Sequence, residues 1–293
     1  VNTTGRIRVK KLRSELLAVF FFVLSSLLAL YLAINIHQIP GIASEKSAVN
    51  IYFVLYYLVF LIVFTAIILM LVKKHADIIR AIFLAAVIYM VFVVSSIIAD
   101  IISVNFIEYY LIIILITGIF GYLIIFKNEW YITDAAGILM ISGSAAILGN
   151  ILRVYIAIAL LIVFAVYDYI SVYKTKHMVS LARAAVDNSF PLMFTLPENY
   201  NMKLRDLTFD NRGENNVMML GFGDMAIPEI LVISASISNI SHIYLYFILT
   251  TLGSISAMII LFYINKNKPA PGLPLINSGA IAGYLIALII TII

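Results

Sequence analysis

Long apolar runs alternate with short polar breaks along the whole of this 293-residue chain. A helix that crosses a bilayer needs about 20 apolar residues. With that ruler the pattern predicts nine spans, at about 15–36, 49–72, 78–99, 108–126, 134–151, 153–173, 217–237, 243–264 and 274–293. Only Asn150 and Arg153 break the fifth from the sixth. The first span follows a basic tail, but its apolar run is too long for a signal-peptide core. No clean small-residue cleavage site follows it, so a retained span is expected. The predicted class is an all-α polytopic membrane protein of nine transmembrane helices.

Composition agrees. Hydrophobic residues make up 63% of the chain and charged residues 12%, against about 25% charged in soluble domains. So few charges cannot cover a water-facing surface. Cysteine is absent, which excludes disulfides, a thiol nucleophile and a cysteine-ligated metal. His37, His75, His177 and His242 are scattered without ligand spacing. They read as interfacial or loop residues, and neither a metal nor another cofactor is expected.

The net charge is +4, and its placement matters more than its size. With the N-terminus in the cytoplasm, every one of the 19 Lys and Arg residues except Lys46 and Arg153 falls in a cytoplasmic segment. The positive-inside rule therefore predicts a cytoplasmic N-terminus and an external C-terminus. An error of one helix would scramble the alternation, so the bias also supports the count of nine.

Residues 174–216 form the longest hydrophilic stretch, predicted to be a cytoplasmic loop with an apolar patch at Phe190–Leu196 between Pro191 and Pro197. It reads as a flexible linker with one patch on the membrane surface, or as a lid over a site. It divides a single integral membrane domain into an N-terminal six-helix part, 1–173, and a C-terminal three-helix part, 217–293. The two parts show no inverted repeat.

Carboxylates inside a membrane are costly and are functional candidates by default. Asp77, Asp100, Glu108, Glu129 and Asp134 sit at span ends and read as interfacial caps. Asp168 and Asp224 lie within apolar runs. Asp168 is about five residues from the cytoplasmic end of the sixth span and Asp224 about seven from that of the seventh. Both therefore lie roughly 8–10 Å below the cytoplasmic edge. Apart from Arg153, at the far end of the sixth span from Asp168, neither span contains Lys or Arg, so an ion pair is not expected and a proton-sharing pair is. Such a pair suits peptide hydrolysis. The ionised member takes a proton from water, and the protonated member hydrogen-bonds the scissile carbonyl.

Gly221 and Gly223 flank Phe222 just before Asp224. Two glycines loosen the start of a helix and let a foreign backbone approach; the alternative is that they serve close helix packing. Upstream, Val217-Met218-Met219-Leu220 is expected to run extended and to pair with a substrate strand by β-augmentation. A helical peptide bond is shielded, so a protease must unwind it first.

Three motifs then carry a resemblance. Tyr167-Asp168 resembles the Tyr-Asp motif, and Gly221-Phe222-Gly223-Asp224 the Gly-x-Gly-Asp motif, of presenilins and signal peptide peptidases. Pro271-Gly272-Leu273-Pro274 resembles their Pro-Ala-Leu motif, with Gly272 where the family has Ala. They occur in family order on the sixth, seventh and ninth spans. The resemblance implies an intramembrane aspartyl protease in which Asp168 and Asp224 are catalytic and the proline motif shapes the site beside them. It also implies transmembrane-helix proteins as substrates and the bilayer as surroundings, with no nucleic-acid partner; self-association is left open. The predicted N-in orientation is that of presenilins rather than signal peptide peptidases. Short loops, no cysteine and Ile-rich spans resemble an archaeal presenilin homologue, which implies a prokaryotic cell membrane. The rival readings are a proton- or cation-coupled transporter or channel using the aspartates, a prepilin peptidase, and a non-catalytic chaperone on the same scaffold. A prepilin peptidase commonly has x-Lys after the Asp, where Met225-Ala226 stand here.

Overall fold

A computed structural model of the chain describes residues 3–38, 52–127, 129–175, 177–188, 190–197, 217–264 and 270–293. Lys46, Lys176, Lys203, Arg205, Arg212, Lys266 and Lys268 of the charge pattern lie outside the described residues, as does 198–216 of the predicted loop.

The helices in chain order are α1 (Thr3–Gln38), α2 (Tyr52–Ile102), α3 (Phe106–Phe126), α4 (Trp130–Ile151), α5 (Val154–Tyr173), α6 (His177–Asp187), α7 (Phe222–Ser238), α8 (Ile243–Ile264) and α9 (Leu273–Ile292). Two strands, β1 (Met193–Pro197) and β2 (Val217–Gly221), stand between α6 and α7. Among the described residues, seven helical stretches are long and apolar enough to cross a membrane. The protein is thus a polytopic helical membrane protein, and its outer faces are dressed with exposed Ile, Leu, Val, Phe and Tyr.

Three elements differ from their predicted form. The second and third predicted spans follow each other in α2 without a loop, as two helices that meet at a kink where His75 leaves helical geometry at φ −138° and ψ 49°. Lys73, Lys74 and His75 interrupt the apolar run there, but no proline or glycine stops the helix. The seventh predicted span starts as a strand. Its helical part, α7, has 17 residues and is about 26 Å long, a little under the roughly 30 Å hydrocarbon thickness. The predicted loop, lastly, contains a helix and a strand: α6 is amphipathic, and Leu181 and Ala185 pack with Phe190 on Ile68, Ile79 and Phe83 of α2.

The helix α7 runs through the centre of the fold, buried along most of its length. It packs on α1, α4, α5, α8 and α9. Small residues permit this: a Cβ on Gly149 of α4 would lie 2.6 Å from Ile233 and 3.1 Å from the Ser234 nitrogen. The Ser234 hydroxyl donates to the Leu152 carbonyl at 2.7 Å, beside that contact. The helix α3, with only Ile113, Gly121 and Ile124 buried, is peripheral.

The strands form an antiparallel hairpin with Met193 opposite Gly221, Thr195 opposite Met219 and Pro197 opposite Val217. Phe194, Leu196, Leu220 and Phe222 bury its inner face with Ile138 and Ile141 of α4 and Phe22 of α1. The hairpin thereby delivers the chain directly into the first turn of α7.

Candidate active site

Asp168 lies on α5, buried with 4% of its surface exposed. Asp224 lies in the first turn of α7 and is partly buried. The short turn before α9 joins them. The Leu273 N–H donates to Asp168 Oδ2 at 3.2 Å, and the Gly272 N–H lies near that carboxylate. Gly272 at the same time lies against Asp224, where a Cβ on it would stand 3.0 Å from Cγ, 3.1 Å from Oδ2 and 3.3 Å from Oδ1. One dipeptide thus holds both carboxylates, close enough to feel each other's charge.

Each part of that turn has a local cause. Pro274 occupies the first turn of α9, where a missing N–H costs no helix bond. Pro271 is buried beside it and fixes the backbone leading in. Leu273, 5% exposed, plugs into a cluster with Phe164 and Leu161 of α5 and Leu231 of α7. One turn further along α9, Asn277 donates to the Leu161 carbonyl at 2.9 Å. Tyr167, next to Asp168, shares a 2.9 Å hydrogen bond with His177 Nε2 at the start of α6.

Asp224 is held on its other side by the Gly221 N–H. Pro228 lies four residues on, inside α7. It has no N–H for the Asp224 carbonyl, so the turn carrying Asp224 is released from the helix ladder at that point. Gly223 is exposed, and a Cβ there would meet nothing within 4 Å. Helix packing therefore does not explain this glycine. The depth argument changes too. Asp224 is in the first turn of its helix rather than seven residues in, because Val217–Gly221 is extended. What levels the two aspartates is their shared contact with the turn before α9.

The hairpin bonding has a definite parity. The Phe222 N–H donates to the Leu192 carbonyl at 3.1 Å, so with the register above the bonded pairs are Phe194 with Leu220 and Leu196 with Met218. The backbone groups of Val217, Met219 and Gly221 then point away from β1. The Gly221 N–H, which reaches Asp224, obeys this. So does Pro197, whose missing N–H falls on an outward position. Val217, Leu220 and Phe222 turn buried side chains into the core, leaving an outward backbone edge that ends at Asp224.

Two buried carboxylates were misjudged or missed in the sequence. Asp134, read as an interfacial cap, is 1% exposed, and its Oδ1 accepts the Thr195 N–H at 3.0 Å. Glu229 of α7 is fully buried and bonded to the Ser25 hydroxyl of α1. It sits in the run Ile227-Pro228-Glu229-Ile230-Leu231, so the rule that selected Asp168 and Asp224 would have found it.

Comparison with known proteins decides the family. The profile described as signal-peptide peptidase, presenilin aspartyl protease matches residues 19–293. The chain belongs to this family. Two solved structures of a presenilin family intramembrane aspartate protease share its fold. The one in space group C222 superposes with a TM-score of 0.67 at 24% identity, covering 94% of this chain and 99% of that one. The one in space group P2 gives 0.63 at 24% identity, covering 93% and 96%. No curated protein sequence matches. As a presenilin and signal-peptide peptidase family member the chain is an intramembrane aspartyl protease, and nothing in these comparisons favours the transporter reading.

Proposed function

We propose that Asp168 and Asp224 are the catalytic pair of this protease and that Tyr167, Gly221–Gly223, Val217–Leu220 and Pro271–Pro274 position the substrate. The observation that carries the proposal is that Leu273 bonds Asp168 while its neighbour Gly272 lies against Asp224. The ionised aspartate takes a proton from water, and the resulting nucleophile attacks the scissile carbonyl. The protonated aspartate donates to that carbonyl and stabilises the oxyanion. Collapse of the tetrahedral intermediate returns the proton to the leaving amine. The pair titrates as a unit, so neither member owns a separate role in every step.

The substrate is a single transmembrane helix, unwound at the site and paired as a strand with the outward edge of β2. Backbone pairing makes side-chain selectivity broad. In this reading the chain has nine spans with the N-terminus cytoplasmic and the C-terminus external, as the charge pattern favours. Segment 174–216 then separates a six-helix part, 1–173, from a three-helix part, 217–293, on the cytoplasmic side. The substrate runs with its N-terminus outside and is cut in its cytoplasmic half, in the cell membrane of a prokaryote.

The test is cleavage of a fluorogenic transmembrane peptide by purified protein. Asp168→Asn and Asp224→Asn should each lower kcat by at least about 10³-fold without loss of folded protein, and the double variant should be no worse than either. Substantial cleavage by either single variant, in a preparation free of wild type, removes that residue from the pair.

A further inference from the structure

A presenilin-type site needs its two aspartates and the strand ahead of the second, but something must hold that strand. The hairpin joins helices at one end only: β2 continues into α7, while β1 follows α6 through a short connection. Burial of its inner face on α4 does not by itself fix its backbone, because apolar contact is non-directional. A directional anchor exists on the outer edge of β1. The parity of the hairpin sends the Thr195 N–H away from β2, and it ends on Asp134 Oδ1 at 3.0 Å with both residues buried. Among the described residues Asp134 Oδ2 has no partner, and the Thr195 N–H is the bond this carboxylate makes there.

The residues that follow Asp134 on α4 continue the same seat. Gly137, Ile138 and Ile141 stand three, four and seven positions on, one helical face. A Cβ on Gly137 would strike the Phe222 ring at 2.6 Å and the Phe194 ring at 3.2 Å. Those two rings, one from each limb of the hairpin, meet edge to face with centroids 4.7 Å apart. Ile138 and Ile141 close the same cluster. This face of α4 therefore receives Phe222, two residues before Asp224, in a notch made by a missing side chain. One turn away it locks the strand's backbone through Asp134.

We infer that Asp134 is a positioning residue: by capping the outer edge of β1 it sets the height of β2 against Asp224 and leaves the β2 edge as the edge of this sheet open to a substrate strand among the described residues. The inference rests on the catalytic reading given above. The site then measures the cleaved bond by register. A substrate strand laid along Met219 presents one particular peptide bond to Asp224, and a hairpin free to slide would present its neighbours as well.

The experiment compares purified Asp134→Leu, Asp134→Asn, Thr195→Pro and the Asp134→Leu/Thr195→Pro double variant on one transmembrane peptide. It reads both kcat and the cleaved bonds by mass spectrometry. Leu keeps the branched shape, though it is bulkier, and removes the acceptor; Asn keeps an acceptor oxygen at the same place. Proline at 195 removes the outward N–H without removing a ladder donor to β2, while also replacing the Thr side chain and fixing φ. Asp134→Leu should lower kcat about 10- to 100-fold, the size of effect a small misplacement produces, and spread cleavage to neighbouring bonds. Asp134→Asn should stay within about threefold of wild type and cut the same bonds. Thr195→Pro should behave as Asp134→Leu does, and the double variant should be no worse than either. A loss of folded protein alone would lower yield without moving the cleaved bond. If Asp134→Leu does not fold, Thr195→Pro against Asp134→Asn carries the test. Wild-type cleavage with Asp134→Leu or Thr195→Pro cutting the same bonds at the same rate overturns this inference alone. So does Asp134→Asn as damaged as Asp134→Leu, or multiplied losses in the double variant. A wild-type protein that cuts nothing, or that still cuts after Asp168→Asn, overturns the catalytic reading instead.

Discussion

Glycine does opposite work at two places in this protein. Along the α8–α9 contact, Gly253 and Gly279 each lie against the other's carbonyl oxygen, and Gly283 lies against the carbonyl of Leu249. A Cβ at any of the three would need backbone to move. At the start of α7, Gly223 faces open space, and the nearest atom to a Cβ on Gly221 would be Asp224 Oδ2 at 3.4 Å. The first set serves packing between helices that have no hydrophobic drive to associate in lipid. The second leaves room beside a carboxylate. In the sequence the two sets look alike, and only their neighbours tell them apart.

Alanine at both places should split the two roles with opposite signs, the largest change in stability expected from this comparison. Gly279→Ala forces its methyl onto the Gly253 carbonyl and, at 2.5 Å, onto Ala257 Cβ. It should destabilise the protein by about 1–3 kcal/mol, the usual cost of overpacking. Gly223→Ala meets nothing and replaces a poor helix former, so it should stabilise the fold by up to about 1 kcal/mol. It should still slow cleavage, because the methyl stands where a substrate backbone passes. Thermal unfolding in detergent and kcat on a transmembrane peptide read both. Equal stability changes in the two variants would show that the comparison is false.

That pair of glycines also marks where sequence reasoning stopped. The motifs at Asp168, Asp224 and Pro271–Pro274 were legible because a polar or helix-breaking residue inside an apolar run has few explanations. The extended stretch Val217–Leu220 was legible from the glycines after it. Its partner was not: Met193–Pro197 read only as an apolar patch, since five residues carry too little alternation to mark a strand and the pairing crosses a long stretch of chain. Asp134 was misread because its place at a span end has a common interfacial explanation. What draws it inside is Thr195, 61 positions away in sequence. The break between the second and third spans was legible because Lys73, Lys74 and His75 interrupt the apolar run where His75 leaves helical geometry.

A glycine of intermediate character, Gly272, sharpens the comparison. Its backbone is helical at φ −81° and ψ −43°, so alanine fits the conformation and the family's own motif carries alanine there. Yet a Cβ would stand 3.0–3.3 Å from three atoms of the Asp224 carboxyl group. Those atoms end a rotatable side chain, unlike the carbonyls at α8–α9. Gly272→Ala should therefore leave stability unchanged or raise it by about 0.4–1 kcal/mol. Asp224 would shift by a few tenths of an ångström, and kcat should fall less than about tenfold. A loss as deep as that of Asp224→Asn would mean that the carboxylate has nowhere to go.

The smallest effect belongs to the edge of the site, at His177. Its Nε2 lies 2.9 Å from the Tyr167 hydroxyl and its Nδ1 2.5 Å from Thr175 Oγ1. The Thr175 hydroxyl also reaches the Ser171 carbonyl at 3.4 Å. With the ring neutral, Nδ1–H can donate to Thr175 while Nε2 accepts from Tyr167. Burial acts in the same direction and holds the histidine below its ordinary value of 6.5. The unfolded chain therefore takes up this proton first as pH falls. The stabilisation is complete above about pH 6.5 and is lost as pH drops through the lowered folded value. Between about pH 7.5 and 5.5 the unfolding midpoint of the wild type should thus fall further than that of His177→Gln, by on the order of 1–2 °C. Glutamine does not titrate and can still accept from Tyr167. All other titrating groups are common to both proteins and cancel in the difference. Parallel melting curves across that range would show that the ring's protonation is not coupled to the docking of α6 on α5.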